Sequence, residues 1–300
     1  MAFHEGELAV QQQAGVLTEA GRIGRIVRTR IPPGAQQFLA ERRFAVLAAR
    51  VPDGAVWTSI VARQLPFLTV DSEGQFLRIA AIPRGSDPLA PGLVLDAQIG
   101  VLAIDFETRR RFRVNGRLAE TSPDALVVHV EEAYGNCPKY IQAYVPRGDG
   151  RQKPRAPHAG SRLEPDQAAW IARADLFFLG TLHPVAGADA SHRGGAPGFV
   201  HVLSPTELAW GDYFGNTLFN SLGNAAVQPH AGLLFLDPDT GSTLQLTGTL
   251  AIDWSPQAAA EIPGAERVVR FQIAQVVETR SAIPLRWILS EPSPFNPPAR

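Results

Sequence analysis

Residues 99–119, IGVLAIDFETRRRFRVNGRLA, lie over residues 231–251, AGLLFLDPDTGSTLQLTGTLA, with seven of 21 positions identical. Gly116 and Gly248 set the offset at 132 residues. The same offset, carried upstream without a gap, pairs Leu47 with Leu179, Pro52 with Pro184, Ser59 with Ser191 and Phe67 with Phe199. Apolar runs, turns and glycines stay in phase from about residue 38 to residue 119, which chance coincidences would not do. The chain therefore reads as a tandem duplication.

Each copy reads as β-rich. Residues 44–49 and 176–181 are short apolar runs that end at turn signals, Pro52-Asp53-Gly54 in one and Pro184 with Gly187 in the other. Two longer strands follow, joined through DFETR at 105–109 and DPDTG at 237–241. In the first hairpin Phe112, Val114 and Gly116 alternate with Arg111, Arg113 and Asn115, giving one apolar and one wet face. Many short strands with such turns predict a barrel in each copy. Between the copies, residues 122–134 carry Pro123 and Asp124 at their start and predict a capped helix. PRGDGRQKPRAP at 146–157 predicts a solvated linker. The expected organisation is a first unit at 1–145, a linker at 146–165 and a second unit at 166–300.

Composition bounds the function. With 45% hydrophobic and 19% charged residues the chain can bury a substantial core. The 28 basic and 29 acidic side chains leave a net charge of −1, so no overall field draws in nucleic acid or a membrane, and any anion site is local. Cys137 is the single cysteine, and no apolar run approaches the roughly 18 to 20 residues that cross a bilayer. With no signal-like N-terminus, the expected location is the cytoplasm.

Duplicated units keep what the fold needs, so residues gained in one copy are the better functional candidates. The second copy alone has Ser191-His192-Arg193-Gly194-Gly195, where the first has Ser59-Ile60-Val61-Ala62-Arg63. It also has GNTLFNSLGN at 215–224 against PRGSDPLAPG at 83–92. A phosphate ester needs charged donors, hydroxyls and closely approaching amides, which Arg193, Ser191, Ser221 and the two Gly-Asn pairs offer. A flavin ring needs donors and a wall, for which Asn216, Asn220, Asn224, Gln245, Thr247, Phe219 and Trp210 are candidates. The bland alternative is a turn-rich loop capped by asparagines.

These residues resemble the pyridoxamine 5′-phosphate oxidase-like, FMN-binding split-barrel proteins, especially two-barrel members. The likeness rests on GADASHRGGAPGF, GNTLFNSLGN, AGLLFLD with LQLTG, NCPKYIQ and LRWILSEPSPFNPP, which together span most of the chain. It implies tandem split β-barrels, mainly β with a few helices, and FMN as cofactor. The strand bearing Ser191, His192, Arg193 and Gly194 and the loop bearing Asn216, Asn220, Ser221 and Asn224 would hold it, with Gln245 facing the ring. Lys139 or Tyr140 would reach the phosphate or ring, unless they simply end a helix. The family often builds its site between two barrels, so the partner is the first copy or a second subunit, and a homodimer is expected.

The oxidase's Arg-x-x-x-Leu-Lys phosphate pattern is absent, since Gly-Gly-Ala-Pro follows Arg193, and its C-terminal substrate motif has no counterpart. The implied activity is therefore two-electron flavin chemistry with an unnamed small-molecule donor and acceptor, NAD(P)H being one candidate. A flavin-storing module and a haem-handling split barrel are the alternatives, and no catalytic residue is assigned. His183, His192 and His201 at nine-residue gaps match no metal-ligand pattern. Ser191 and His192 point to opposite faces of a strand and make no dyad. His192 is either a proton donor near the ring or a structural histidine. Arg109-Arg110-Arg111 reads as a solvated hairpin end, and the N-terminal segment as cover for a barrel edge or a partner subunit.

Overall fold

The computed structural model describes residues 3–63, 66–150 and 152–297. An N-terminal arm holds α1 (Glu5–Gln13) and α2 (Leu17–Ile23), and α3 (Pro33–Ala40) leads into the first unit. That unit has β1 (Phe44–Arg50), β2 (Val56–Ala62), β3 (Leu68–Val70), β4 (Phe76–Ile79), β5 (Gln98–Asp105), β6 (Arg110–Thr121) and β7 (Leu126–Gly135). After β8 (Ala143–Asp149), β9 (His158–Gly160) and α4 (Pro165–Arg173) the pattern returns. The second unit has β10 (Leu176–His183), β11 (Gly187–Gly194), β12 (Val200–Ser204), β13 (Glu207–Tyr213), α5 (Asn220–Val227), β14 (His230–Leu236), β15 (Thr243–Asp253), α6 (Pro256–Ala260) and β16 (Ala265–Thr279). A last strand, β17 (Leu285–Glu291), pairs with β8.

The sheet orders are β2-β1-β5-β6-β7-β4-β3 and β11-β10-β14-β15-β16-β13-β12, the same topology twice. Even the irregularities repeat. The β6/β7 ladder shifts register between Asn115 and Gly116, and the β15/β16 ladder between Thr247 and Gly248. At these bulges a Cβ on Gly116 or Gly248 would collide with the carbonyl oxygen of His129 or Gln272, so the shared glycines serve close backbone approach. Strand alternation fills each barrel with its own core, around Leu47, Val101 and Val128 in one and Leu179, Leu233 and Phe271 in the other.

The two barrels pack against each other about an approximate two-fold axis. A Cβ on Gly100 of β5 would sit 2.6 Å from Ala190 N, and one on Gly232 of β14 would sit 2.8 Å from Thr58 N. Gly232 is the counterpart of Gly100, and Ala190 that of Thr58, so each unit presents to its twin the surface it receives. Val46, Ala48 and Leu102 meet Phe178, Ala190 and Leu234 in a third core between the barrels, an arrangement like a symmetric dimer interface inside one chain.

Two expectations are corrected. Residues 122–134 do not form a helix. Ser122 Oγ accepts from Ala125 N at 3.1 Å to close a turn, after which Leu126, Val128 and Val130 are buried on alternate positions of β7. The Ser-Pro-Asp start imitates a helix cap, but the β-branched residues that follow suit a pleated surface. The expected linker at 146–157 begins inside β8, where Pro146 and Gly148 pair with Trp287 and Arg286; Arg151 lies outside the described residues.

Candidate functional site

The two-fold packing sets β11 of the second unit beside β6 of the first. A cleft opens there, with α5 and the 213–219 turn on one side and residues 136–140 on the other. Its empty volume is about 1090 Å³, open solvent included. The arm supplies Ala14 and Val16 to the rim. It is pinned to α5, where a Cβ on Gly6 would clash with Gly223 O and where Gln11 Nε2 donates to Leu218 O at 2.9 Å. Residues 220–224, expected in a loop, thus begin α5 (Asn220–Val227), one face of which the arm covers.

The cleft is lined with cations. Arg113 Nη1 pairs with Asp189 Oδ1 at 2.9 Å, and Arg267 Nη1 with Asp212 Oδ2 at 2.6 Å. Arg111 donates only to the Cys137 carbonyl at 2.8 Å and to His192, and Arg193 only to the His192 carbonyl at 3.2 Å. Among the described residues neither has a carboxylate within ion-pair distance. Burial, then the neighbouring Arg113 and Arg193, hold the Arg111 guanidinium down at about 9. Burial and then Arg111 push the His192 imidazole well below its ordinary value, so the ring is neutral.

Buried polar atoms without partners gather at this cleft. Arg111 Nε, Arg113 Nε, Arg267 Nε, His192 Nε2 and Trp210 Nε1 are unsatisfied, as are the acceptors Asn136 Oδ1 and Asn220 Oδ1. Buried donors of this kind normally have partners. Backbone strain collects here too, since Tyr140, Thr217 and Phe219 have φ of 65°, 59° and 58° in the left-handed region that non-glycine residues avoid.

Of the residues singled out in the sequence, His192, Arg193, Gly194, Asn216, Asn220, Ser221 and Lys139 line this one cleft. Three do not. Ser191 is fully buried behind it, where it donates to Leu179 O at 3.2 Å and meets Ser221 Oγ at 3.0 Å. Asn224 lies on another face of α5 and donates to Thr181 Oγ1 at 3.1 Å. Gln245 is buried beside the twin cleft, across the two-fold axis, where it donates to Thr58 O at 3.0 Å. Arg111, Arg113, Arg267 and Asn136 were not singled out. Arg111, expected at a solvated hairpin end, faces His192 instead. The signal was in the alternation, because Arg111 and Arg113 share the polar face of β6.

His183 and His201 lie away from this cleft. His183 meets the arm, with Nε2 3.0 Å from Glu5 Oε1 and its ring 4.3 Å from that of His4. These three side chains bring ligand-type atoms within 4.8 Å of one another. Both Nδ1 atoms, however, accept backbone N–H groups: Gly6 and Glu7 at His4, Val185 and Ala186 at His183. A neutral ring then carries its proton on Nε2, the atom a metal would need. No helix among the described residues is long and apolar enough to cross a membrane.

No family model and no curated protein matches the chain. Solved structures do. A candidate pyridoxamine 5′-phosphate oxidase from Lactobacillus delbrueckii is 20% identical over 38% of this chain and 93% of its own, with a TM-score of 0.31. HupZ of Group A Streptococcus is 10% identical over 44% of this chain and 98% of its own, with a TM-score of 0.30. An F420 reductase is 14% identical over 38% of this chain and 95% of its own, with a TM-score of 0.28. In fold the chain is a tandem split β-barrel similar to the pyridoxamine 5′-phosphate oxidase-like proteins. Each neighbour spans about the length of one unit, and likeness at this level concerns fold alone.

Proposed function

We propose that the chain binds one FMN in the cleft between its two barrels and acts as an FMN-dependent oxidoreductase. The observation that carries this reading is the pair Arg111 and Arg193, half-buried, with no carboxylate among the described residues in ion-pair contact and only the longer-range fields of Asp189 and Asp212 to balance them, in a cleft full of unpartnered N–H groups. Cations so placed are under-compensated, and a phosphate dianion with an acceptor-rich heterocycle would meet both needs. Arg111, Arg193 and Lys139 would hold the phosphate. His192, Trp210 and the amides of Asn136 and Asn220 offer the mixed donors and acceptors that a flavin's carbonyl–imide edge requires. When bound, the flavin supplies two-electron chemistry. The chain itself positions it, screens it from water with Trp210, Phe199 and the arm, and supplies the second barrel from the same polypeptide.

The test is direct. The purified protein should be yellow, release FMN on denaturation, rebind it in a one-to-one ratio and be bleached by a reduced nicotinamide without air. Colour without accelerated electron transfer would mark a storage module. A colourless protein that leaves FMN fluorescence unquenched would refute the reading.

A further inference from the structure

The cleft also specifies what its histidine does. Arg111 Nη1 lies 3.3 Å from His192 Nδ1 and 3.4 Å from His192 O. A guanidinium has only hydrogens to offer, so Nδ1 must present its lone pair. In a neutral ring the proton then sits on Nε2. That atom is buried and has no partner, on a residue 2% exposed that lines the cleft. The ring is held in place: Phe178 packs edge-on at 5.9 Å between centroids, and a Cβ on Gly194 would come within 3.0 Å of His192 Cε1. A cationic ring would turn Nδ1–H against Arg111, with Arg113 and Arg193 adding repulsion.

We infer that His192 is a fixed N–H donor, its tautomer imposed by Arg111, to an acceptor atom of the bound heterocycle. The ligand atom is a carbonyl oxygen or pyridine-type nitrogen, best one that gains negative charge on two-electron reduction. His192 is thereby excluded from carrying protons near neutrality. Its role is to stabilise developing charge from a preorganised dipole, with Arg111 as the residue that positions it. The heterocycle's identity rests on the flavin reading; the donor itself does not.

Nitrogen-15 NMR of the flavin-free protein, with labelled histidine, reads the ring directly. His192 is expected as the Nε2–H tautomer without titration between pH 5.5 and 8, and Arg111→Met, which removes the donor facing Nδ1, should let the Nδ1–H tautomer appear while burial keeps the ring neutral. In the unsubstituted protein, an Nδ1–H tautomer or titration near 6.5 would overturn the inference. In the FMN-loaded protein, His192→Gln keeps an N–H donor and should hold FMN and its reduction potential near the parent values. His192→Leu should weaken FMN binding about tenfold, as expected for one lost buried hydrogen bond, and lower the potential. Equal behaviour of the two variants would also overturn it. A protein with the expected tautomer that holds no FMN would refute the flavin reading alone and support the donor.

Discussion

The two-fold packing makes two clefts, and they differ in whether their polar groups are already satisfied. In the cleft described above, His192 and Arg193 of β11 face Arg111 and Arg113 of β6, and seven lining side chains carry unpartnered buried polar atoms. At its twin the matching positions are Ile60 and Val61 of β2 and Thr243 and Gln245 of β15. There Asp87 closes the polar ledger, accepting from Ser59 Oγ at 2.5 Å, Leu89 N at 2.9 Å and Gln245 Nε2 at 3.4 Å. Burial raises the Asp87 carboxyl above its usual range, and among the described residues no arginine opposes that shift. A short 3-10 turn at Ala90–Gly92 stands where the other copy has α5, the helix on which the arm is seated. Duplication supplied two equivalent walls; substitution left cations and unpartnered donors in one cleft and satisfied the polar groups of the other.

The sharpest way to break this comparison is to make the open cleft resemble the closed one. Arg113→Gln installs the twin's residue and leaves Asp189 buried without its partner. Stability should fall by roughly 3 to 5 kcal/mol, seen as a lower urea midpoint, and a smaller loss would mean that the pair is not held as described.

The arm, present on one side only, should show a pH signature. Burial raises Glu7 to about 7 and lowers His4 to about 4. Glu7 binds its proton more tightly when folded, so its contribution is present below about 4.5 and fades as pH rises through 7. His4 binds its proton less tightly when folded, so its contribution is present above 6.5 and fades as pH falls towards 4. The two slopes oppose each other between 4.5 and 6.5. Glu7→Gln removes one, and the variant should lose on the order of 2 kcal/mol on going from pH 7 to pH 5 while the parent stays nearly level. Denaturation at the two pH values measures this.

Arg193→Ala should weaken FMN binding by roughly 1.5 to 3 kcal/mol, as for a lost charged hydrogen bond, with the fold intact. Unaltered retention, measured by fluorescence quenching, would move the phosphate elsewhere. The smallest effect belongs to Asp87→Asn, which alters the closed cleft. FMN should still bind once per chain with unchanged affinity, and a second equivalent bound would show that Asp87 alone had been excluding it.

Much of the fold was legible in the chain because strand period, turn residues and bulge glycines act locally, within a few residues. The helix expected at 122–134 failed for a local reason as well: Ser122, Pro123 and Asp124 suit either a cap or a tight turn, and the alternation after them decided for a strand. The site was half legible. Looking for residues gained by the second copy found His192, Arg193, Asn216, Asn220 and Ser221. It also drew in Gln245 and missed Arg111, because a repeat read in isolation does not show which copy completes which cleft.

The amino-acid order by itself determined two copies of one barrel and a set of polar and cationic side chains gained by the second. Only the tertiary structure decided that the copies meet face to face about a two-fold axis, exchanging walls. Arg111 and His192, 81 residues apart, became neighbours because glycines at β5 and β14 let the two sheets approach. The pairing depends on surface complementarity between units, which no periodicity along the chain encodes.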